Sequence, residues 1–128
     1  MSITESKYRG RKEYALVYSE LITVAKYRGY VTYQEIAKLI GLPLQGNYMG
    51  KEIGHLLGEI SEDEVSRGRP MLSAIVVSTT GTPGPGFFEL ARLLGKFDST
   101  DKDKERAFWE HEKKALYETW KVVLREKE

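Results

Sequence analysis

Apolar positions recur along the chain at helical spacing in several blocks, and each change of pattern marks a change of element. Tyr14, Val17, Tyr18, Leu21, Val24 and Ala25 lie on one helix face, and Gly29 follows as a stop signal. Thr32 and Glu35 then stand at the spacing of a capping box, in which each side chain satisfies a free backbone donor at a helix start. Ile36, Leu39 and Ile40 supply that second helix with its stripe, and Gly41 sits where a left-handed C-cap belongs. After a turn through Pro43 and Gly46, Ile53, Leu56, Leu57 and Ile60 form the inward face of a third helix.

The pattern breaks at "RPMLSAIVVSTTGTPGPGFF", residues 69–88. "MLSAIVVS" predicts a short buried β-strand and "TTGTPGPG" its exposed loop. Phe87, Leu90, Ala91 and Leu94 predict a short helix. Residues 99–128 predict a long amphipathic one, acidic at its start and basic toward its end, with Phe108, Ala115, Leu116, Trp120 and Val123 along one face. That face serves either the core or a homodimer. Two short helices joined by a glycine-containing turn, then a strand and a loop in the position of a wing, describe a winged helix-turn-helix. The expected fold class is mainly α with a small β element, framed by an added N-terminal helix and a long C-terminal helix.

A chain of 128 residues can bury one genuine core, so a single domain is expected over 13–128, preceded by a basic N-terminal arm over 1–12. Lys7, Arg9, Arg11 and Lys12 make that arm, interleaved with Tyr8 and Gly10; it reads as a solvated segment or, through Arg9 and Arg11, as a contact to DNA. The formal charge of +1 argues neither for nor against nucleic acid. The absence of cysteine excludes disulfides, thiolate metal sites and cysteine nucleophiles, and makes a cytoplasmic location the expectation. No apolar run reaches membrane-spanning length and no signal-type segment opens the chain, so no membrane partner is expected.

If the third helix buries its four aliphatic residues, Tyr48, Lys51 and His55 share its outer face. Such a face is either merely solvated or suits a DNA groove, with Lys for phosphate and Tyr and His for hydrogen bonding or stacking. Against DNA stands the balance from Val31 to Pro70, where Lys38, Lys51, Arg67 and Arg69 face Glu35, Glu52, Glu59, Glu62, Asp63 and Glu64. The glycine-rich loop lacks the Gly-Lys-Ser or Gly-Lys-Thr ending of a phosphate-cradling loop. Glu62, Asp63 and Glu64 are consecutive and point in different directions, so even with His55 no metal site is expected, and no cofactor. Glu110, His111 and Glu112 likewise read as a solvated helix face. No acid, base and nucleophile converge, and an enzyme is not expected.

The segments "GYVTYQEIAKLIGLP", "GKEIGHLL" and "RPMLSAIVVSTTGTPGPGF" are similar in order and pattern to the DNA-binding domain of O6-alkylguanine-DNA alkyltransferases and alkyltransferase-like proteins, over roughly Gly29 to Gly95. The resemblance places Ser73 where that family carries its reactive cysteine, Ala74 at its histidine and Ile75 at the following arginine. A serine without a base is a poor nucleophile, so no alkyl transfer is implied. Lys51 aligns most nearly with the arginine that fills the space of a flipped nucleotide, and is a weaker wedge than a planar guanidinium. The acidic segment from Glu59 to Glu64 lengthens a connection that is short in the family. The resemblance implies a scaffold that binds duplex DNA without catalysis: Tyr48, Lys51 and His55 in or along a groove, Thr32 and Tyr33 at a helix start on backbone phosphate, and Gly81 to Gly86 as the wing. The alternative is a protein-interaction or oligomerisation module on the same scaffold without DNA affinity, which the acidic balance favours.

Overall fold

The computed structural model describes residues 2–44 and 46–122. Helix α1 (Lys12–Lys26) buries Val17, Leu21 and Ala25, with Tyr14, Tyr18 and Val24 at the margins of the same stripe. A two-residue strand, β1 (Val31–Thr32), leads directly into α2 (Tyr33–Ile40). The capping box is formed: the Glu35 amide donates to the Thr32 hydroxyl at 3.2 Å, and the Thr32 amide donates to the Glu35 carboxylate at 3.0 Å. Gly41 closes the helix at φ 77°, a conformation that costs a residue with a Cβ about 1–2 kcal/mol.

Helix α3 (Asn47–Ser66) runs past the point where the apolar pattern stops. The acidic segment from Glu59 to Glu64, expected to lengthen a connection, instead continues the helix. Gly50, Gly54 and Gly58 each cost this helix about 1 kcal/mol relative to alanine. Burial of Ile53, Leu56, Leu57 and Ile60, about 1.5–3 kcal/mol each, outweighs that cost.

The strand expected over residues 71–78 is largely absent. Leu72–Ile75 form a turn of 3-10 helix, and only Val76–Val77 are extended, as β2. All seven residues from Met71 to Val77 are buried, and among the described residues the only strand beside them is the two-residue β1. A longer strand there would leave ladder groups unpaired in the core, so the chain satisfies them by other means. The Ala74 amide donates back to the Met71 carbonyl at 3.2 Å, the Met71 amide donates to Glu112 at 2.9 Å, and the Trp109 indole donates to the Ala74 carbonyl at 2.8 Å. β2 pairs with β1 in parallel, Val31 opposite Val76 and Thr32 opposite Val77, so α2 and α3 form the crossover between them.

Residues 78–84 do not return as the second strand of a hairpin. Gly81, at φ 84°, turns the chain, the Ser78 amide donates to the Thr82 carbonyl at 2.8 Å, and the segment enters α4 (Pro85–Leu93). Pro85 opens that helix with the backbone angle already set. Phe87 and Ala91 are buried, and Leu90 and Leu94 pack beside them as the spacing predicts.

Helix α5 (Lys102–Trp120) starts on Asp101, whose carboxylate accepts from the amides of Asp103 and Lys104. Its buried line is Glu105, Trp109, Glu112, Lys113 and Leu116, rotated from the expected one; Phe108, Ala115 and Trp120 lie at the margin, and Val123 falls outside the described residues. Glu110 and His111 are exposed, but Glu112, grouped with them as a solvated face, is buried and also accepts from Lys96 at 2.5 Å. Trp109 and Leu116 fill the core of the chain, Leu116 being the one described residue of the expected face, left open between core and homodimer, that is fully buried. The architecture is mainly helical with a two-stranded parallel sheet. No helix among the described residues is long and apolar enough to cross a membrane.

Candidate nucleic-acid interface

The acids of α3 determine where the segment before α1 goes. Residues 2–9 lie as a strap along this helix, not as a solvated arm. Glu59, fully buried, accepts from the amides of Lys7, Tyr8 and Arg9 at 2.8–3.2 Å. Glu62 accepts from the Ile3 amide at 2.5 Å, the Thr4 amide at 3.0 Å, and the hydroxyls of Ser2 and Thr4. Burial alone would raise the Glu62 carboxyl, but these donors prevail and hold it at about 2. Glu52 accepts from the Lys7 ammonium at 2.6 Å and from the Tyr8 hydroxyl, which hold its carboxyl below the usual range. Burial, and then the Glu52 carboxylate, push the Tyr8 phenol upward.

The Arg9 guanidinium is wholly committed. Its Nε bonds Asp63 at 3.0 Å, and its terminal nitrogens reach the Thr4 carbonyl and hydroxyl, the Ser6 hydroxyl, the Glu59 carbonyl and Glu62. Asp63 also accepts from the Tyr14 hydroxyl at 2.6 Å. Glu64, fully buried, is held by Arg69 at 2.6 Å and faces the Tyr18 hydroxyl. Each carboxylate from Glu52 to Glu64 is therefore engaged inside the protein. Among the described residues no group of three or more acid and histidine side chains is arranged to hold a metal ion.

Of the residues assigned to DNA, Tyr48 and Lys51 stand on the open half of α3, Tyr48 being 57% exposed. Lys51 takes part in none of the ion pairs among the described residues. His55 lies on the same side but beneath the strap, its Nε2 2.8 Å from the Glu5 carbonyl and 3.2 Å from Glu59. Arg11 is exposed at the start of α1. Thr32 spends its hydroxyl and its amide on the capping box. Tyr33 is half-buried, and its hydroxyl accepts from the Gly84 amide at 3.0 Å. A Cβ at Gly84 would stand 3.1 Å from that oxygen, so glycine lets the start of α4 close on α2.

This contact brings three helix starts to one groove of about 360 Å³, lined by Tyr33 and Gln34 of α2, Met49 and Gly50 of α3, and Gly84, Pro85 and Gly86 at the start of α4, with Ser78 and Thr79. Neither α3 nor α4 has a side-chain cap or an acid in its first turn. Free amides and the positive ends of the helix dipoles therefore favour an anion there. Sharing Tyr33, Gly54 and Gly86 with this groove, a cavity of about 420 Å³ continues between α3, α4 and the strap. Ser73 lines it, and the only polar side chain among the described residues that Ser73 engages is Ser61: the Ser73 amide donates to the Ser61 hydroxyl at 3.2 Å, and that hydroxyl donates to Ser73 Oγ at 2.8 Å.

The chain matches no protein-family model, no curated protein and no solved structure. The groups that shape the site and escape a sequence reading are Tyr8, Glu52, Glu59 and Glu62. The sequence shows the two parts separately: Glu52, Glu59 and Glu62 recur at steps of seven and three, and residues 7–12 carry Lys7, Arg9, Arg11 and Lys12 with no acid.

Proposed function

We propose that the protein binds duplex DNA without catalysing a reaction, using α2 and α3 as a helix-turn-helix, with the loop from Gly81 as the wing, shorter than the expected Gly81 to Gly86 because Pro85 and Gly86 belong to α4. The convergence of the α3 and α4 starts, uncapped and free of acids, on the groove they share with α2 carries this reading, because free amides and helix dipoles at one place favour a backbone phosphate. Lys51 and Tyr48 beside it supply a cation and an aromatic hydroxyl for phosphate and groove. The acidic balance that opposed DNA loses its force, since the carboxylates of α3 are paired within the fold.

The surroundings of Ser73 speak against alkyl transfer. Ser73 stands at the position where the alkyltransferase resemblance puts a nucleophile, and its hydroxyl meets another serine in place of a base. A protein-interaction role draws on a different observation, the exposed Ile3 and Leu93 that flank the 420 Å³ cavity. Titration of a labelled duplex at increasing salt separates the two. DNA binding predicts an affinity that falls linearly with salt on logarithmic axes; no binding at low salt leaves the interaction role.

A further inference from the structure

The outer row of α3 runs Tyr48, Lys51, His55, Glu59 and Glu62, so the residues open to a partner continue without a break into acids. Glu52 directly follows Lys51. At about 1.5 Å rise per residue, Glu59 lies about 12 Å along the axis from Lys51 and Glu62 about 16 Å. The screening length is about 10 Å at 0.1 M salt and about 30 Å at 0.01 M, so at low salt bare carboxylates at these distances weaken a phosphate held near Lys51, an effect largely screened at 0.1 M.

We propose that the strap, residues 2–9, is a built-in countercharge that makes α3 compatible with a polyanion, and that Arg9 is a positioning residue that does not itself contact DNA. This rests on the duplex-binding reading. The strap delivers five backbone N–H groups to Glu59 and Glu62, the Lys7 ammonium to Glu52, and the Arg9 guanidinium to Glu62 and Asp63. Its own acid, Glu5, is exposed and uses its carbonyl on His55. Arginine has five N–H donors. Arg9 directs Nε to Asp63, Nη1 to Thr4 and Ser6, and Nη2 to Thr4, Glu59 and Glu62. Contact with a phosphate would require breaking this set. Its effect on a distant anion therefore passes through the carboxylates it neutralises.

The test is a rescue. A labelled duplex is titrated at low salt with the full chain, with Arg9→Ala, and with Arg9→Ala combined with Glu62→Gln and Asp63→Asn. Arg9→Ala is expected to weaken binding about two- to threefold at low salt, through charges about 16 Å away and not through a phosphate contact. Neutralising the two acids is expected to return most of that loss. A direct contact by Arg9, or a purely structural role in anchoring the strap, leaves most of the loss in place, since the amides supply no cation and weaken the remaining anchors. Lys7→Ala with and without Glu52→Gln repeats the test at a half-exposed cation, where the other strap bonds stay in place and folding is not at risk. Unchanged binding by Arg9→Ala and Lys7→Ala, or a combined variant no better than its parent, overturns the inference. Failure of the unaltered protein to bind overturns the duplex reading first, and the inference with it.

Discussion

The hydroxyls of Ser61 and Ser73 lie 2.8 Å apart in the core, and the same Ser61 oxygen takes the Ser73 amide proton. This arrangement ties α3 to the 3-10 turn and leaves Ser73 without a base. Ser61→Ala strands the Ser73 N–H and should destabilise the protein by about 1–3 kcal/mol in denaturant melts. Ser73→Cys should fold and still accept no alkyl group from an O6-methylguanine duplex, because neither Ala74 nor Ser61 lowers a thiol pKa. Intact mass checks this; a gain of one methyl would contradict it.

The two tryptophans of α5 should respond unequally. Trp109 is 5% exposed, with its indole N–H on the Ala74 carbonyl, so Trp109→Ala should cost about 3–5 kcal/mol. Trp120 lies at the margin of the core, where the Arg69 guanidinium stacks 5.6 Å from its ring. Trp120→Ala should cost about 1–2 kcal/mol, mostly lost apolar contact. Equal losses in urea melts would contradict the placement of α5.

The strap carries a pH dependence. Glu62 is held at about 2 against an ordinary 4.5, so its ionised form contributes stability that is complete above pH 4.5 and is lost as pH falls toward 2. Glu52 is shifted the same way, through its bonds from Lys7 and Tyr8. Melting temperature should therefore drop across that window, and Glu62→Gln should be less stable at pH 6 yet lose less on acidification. Parallel curves for the two proteins would contradict the strap contacts.

Helix faces and caps were legible because they are local. Ile53, Leu56, Leu57 and Ile60 repeat within three turns, and Thr32 and Glu35 form their box within one. The fate of the charges was not, since Arg9 and Glu62 are 53 residues apart and no local pattern joins them. Glu59 to Glu64 read as a lengthened connection because acids are rarely buried, and burial of Glu59 here accompanies donors from the strap. Residues 71–78 have strand composition, but with only Val31 and Thr32 as strand partners among the described residues, Leu72–Ile75 adopt a tighter turn. On α5, buried Glu112 and Lys113 rotate the apolar line away from the one that aliphatic and aromatic spacing alone predicts. The groove among three helix starts is a tertiary product of the contact between Tyr33 and Gly84, 51 residues apart.

The most direct measurement of the central claim is the salt dependence of duplex binding by the unaltered protein and by Lys51→Ala. Lys51 is exposed and engaged in no ion pair among the described residues, so its removal should leave the fold and melting temperature unchanged. The account predicts weaker binding and a slope of log affinity against log salt reduced by about one, the counterion released at one phosphate. An unchanged affinity and slope, or no binding by either protein at low salt, would contradict it.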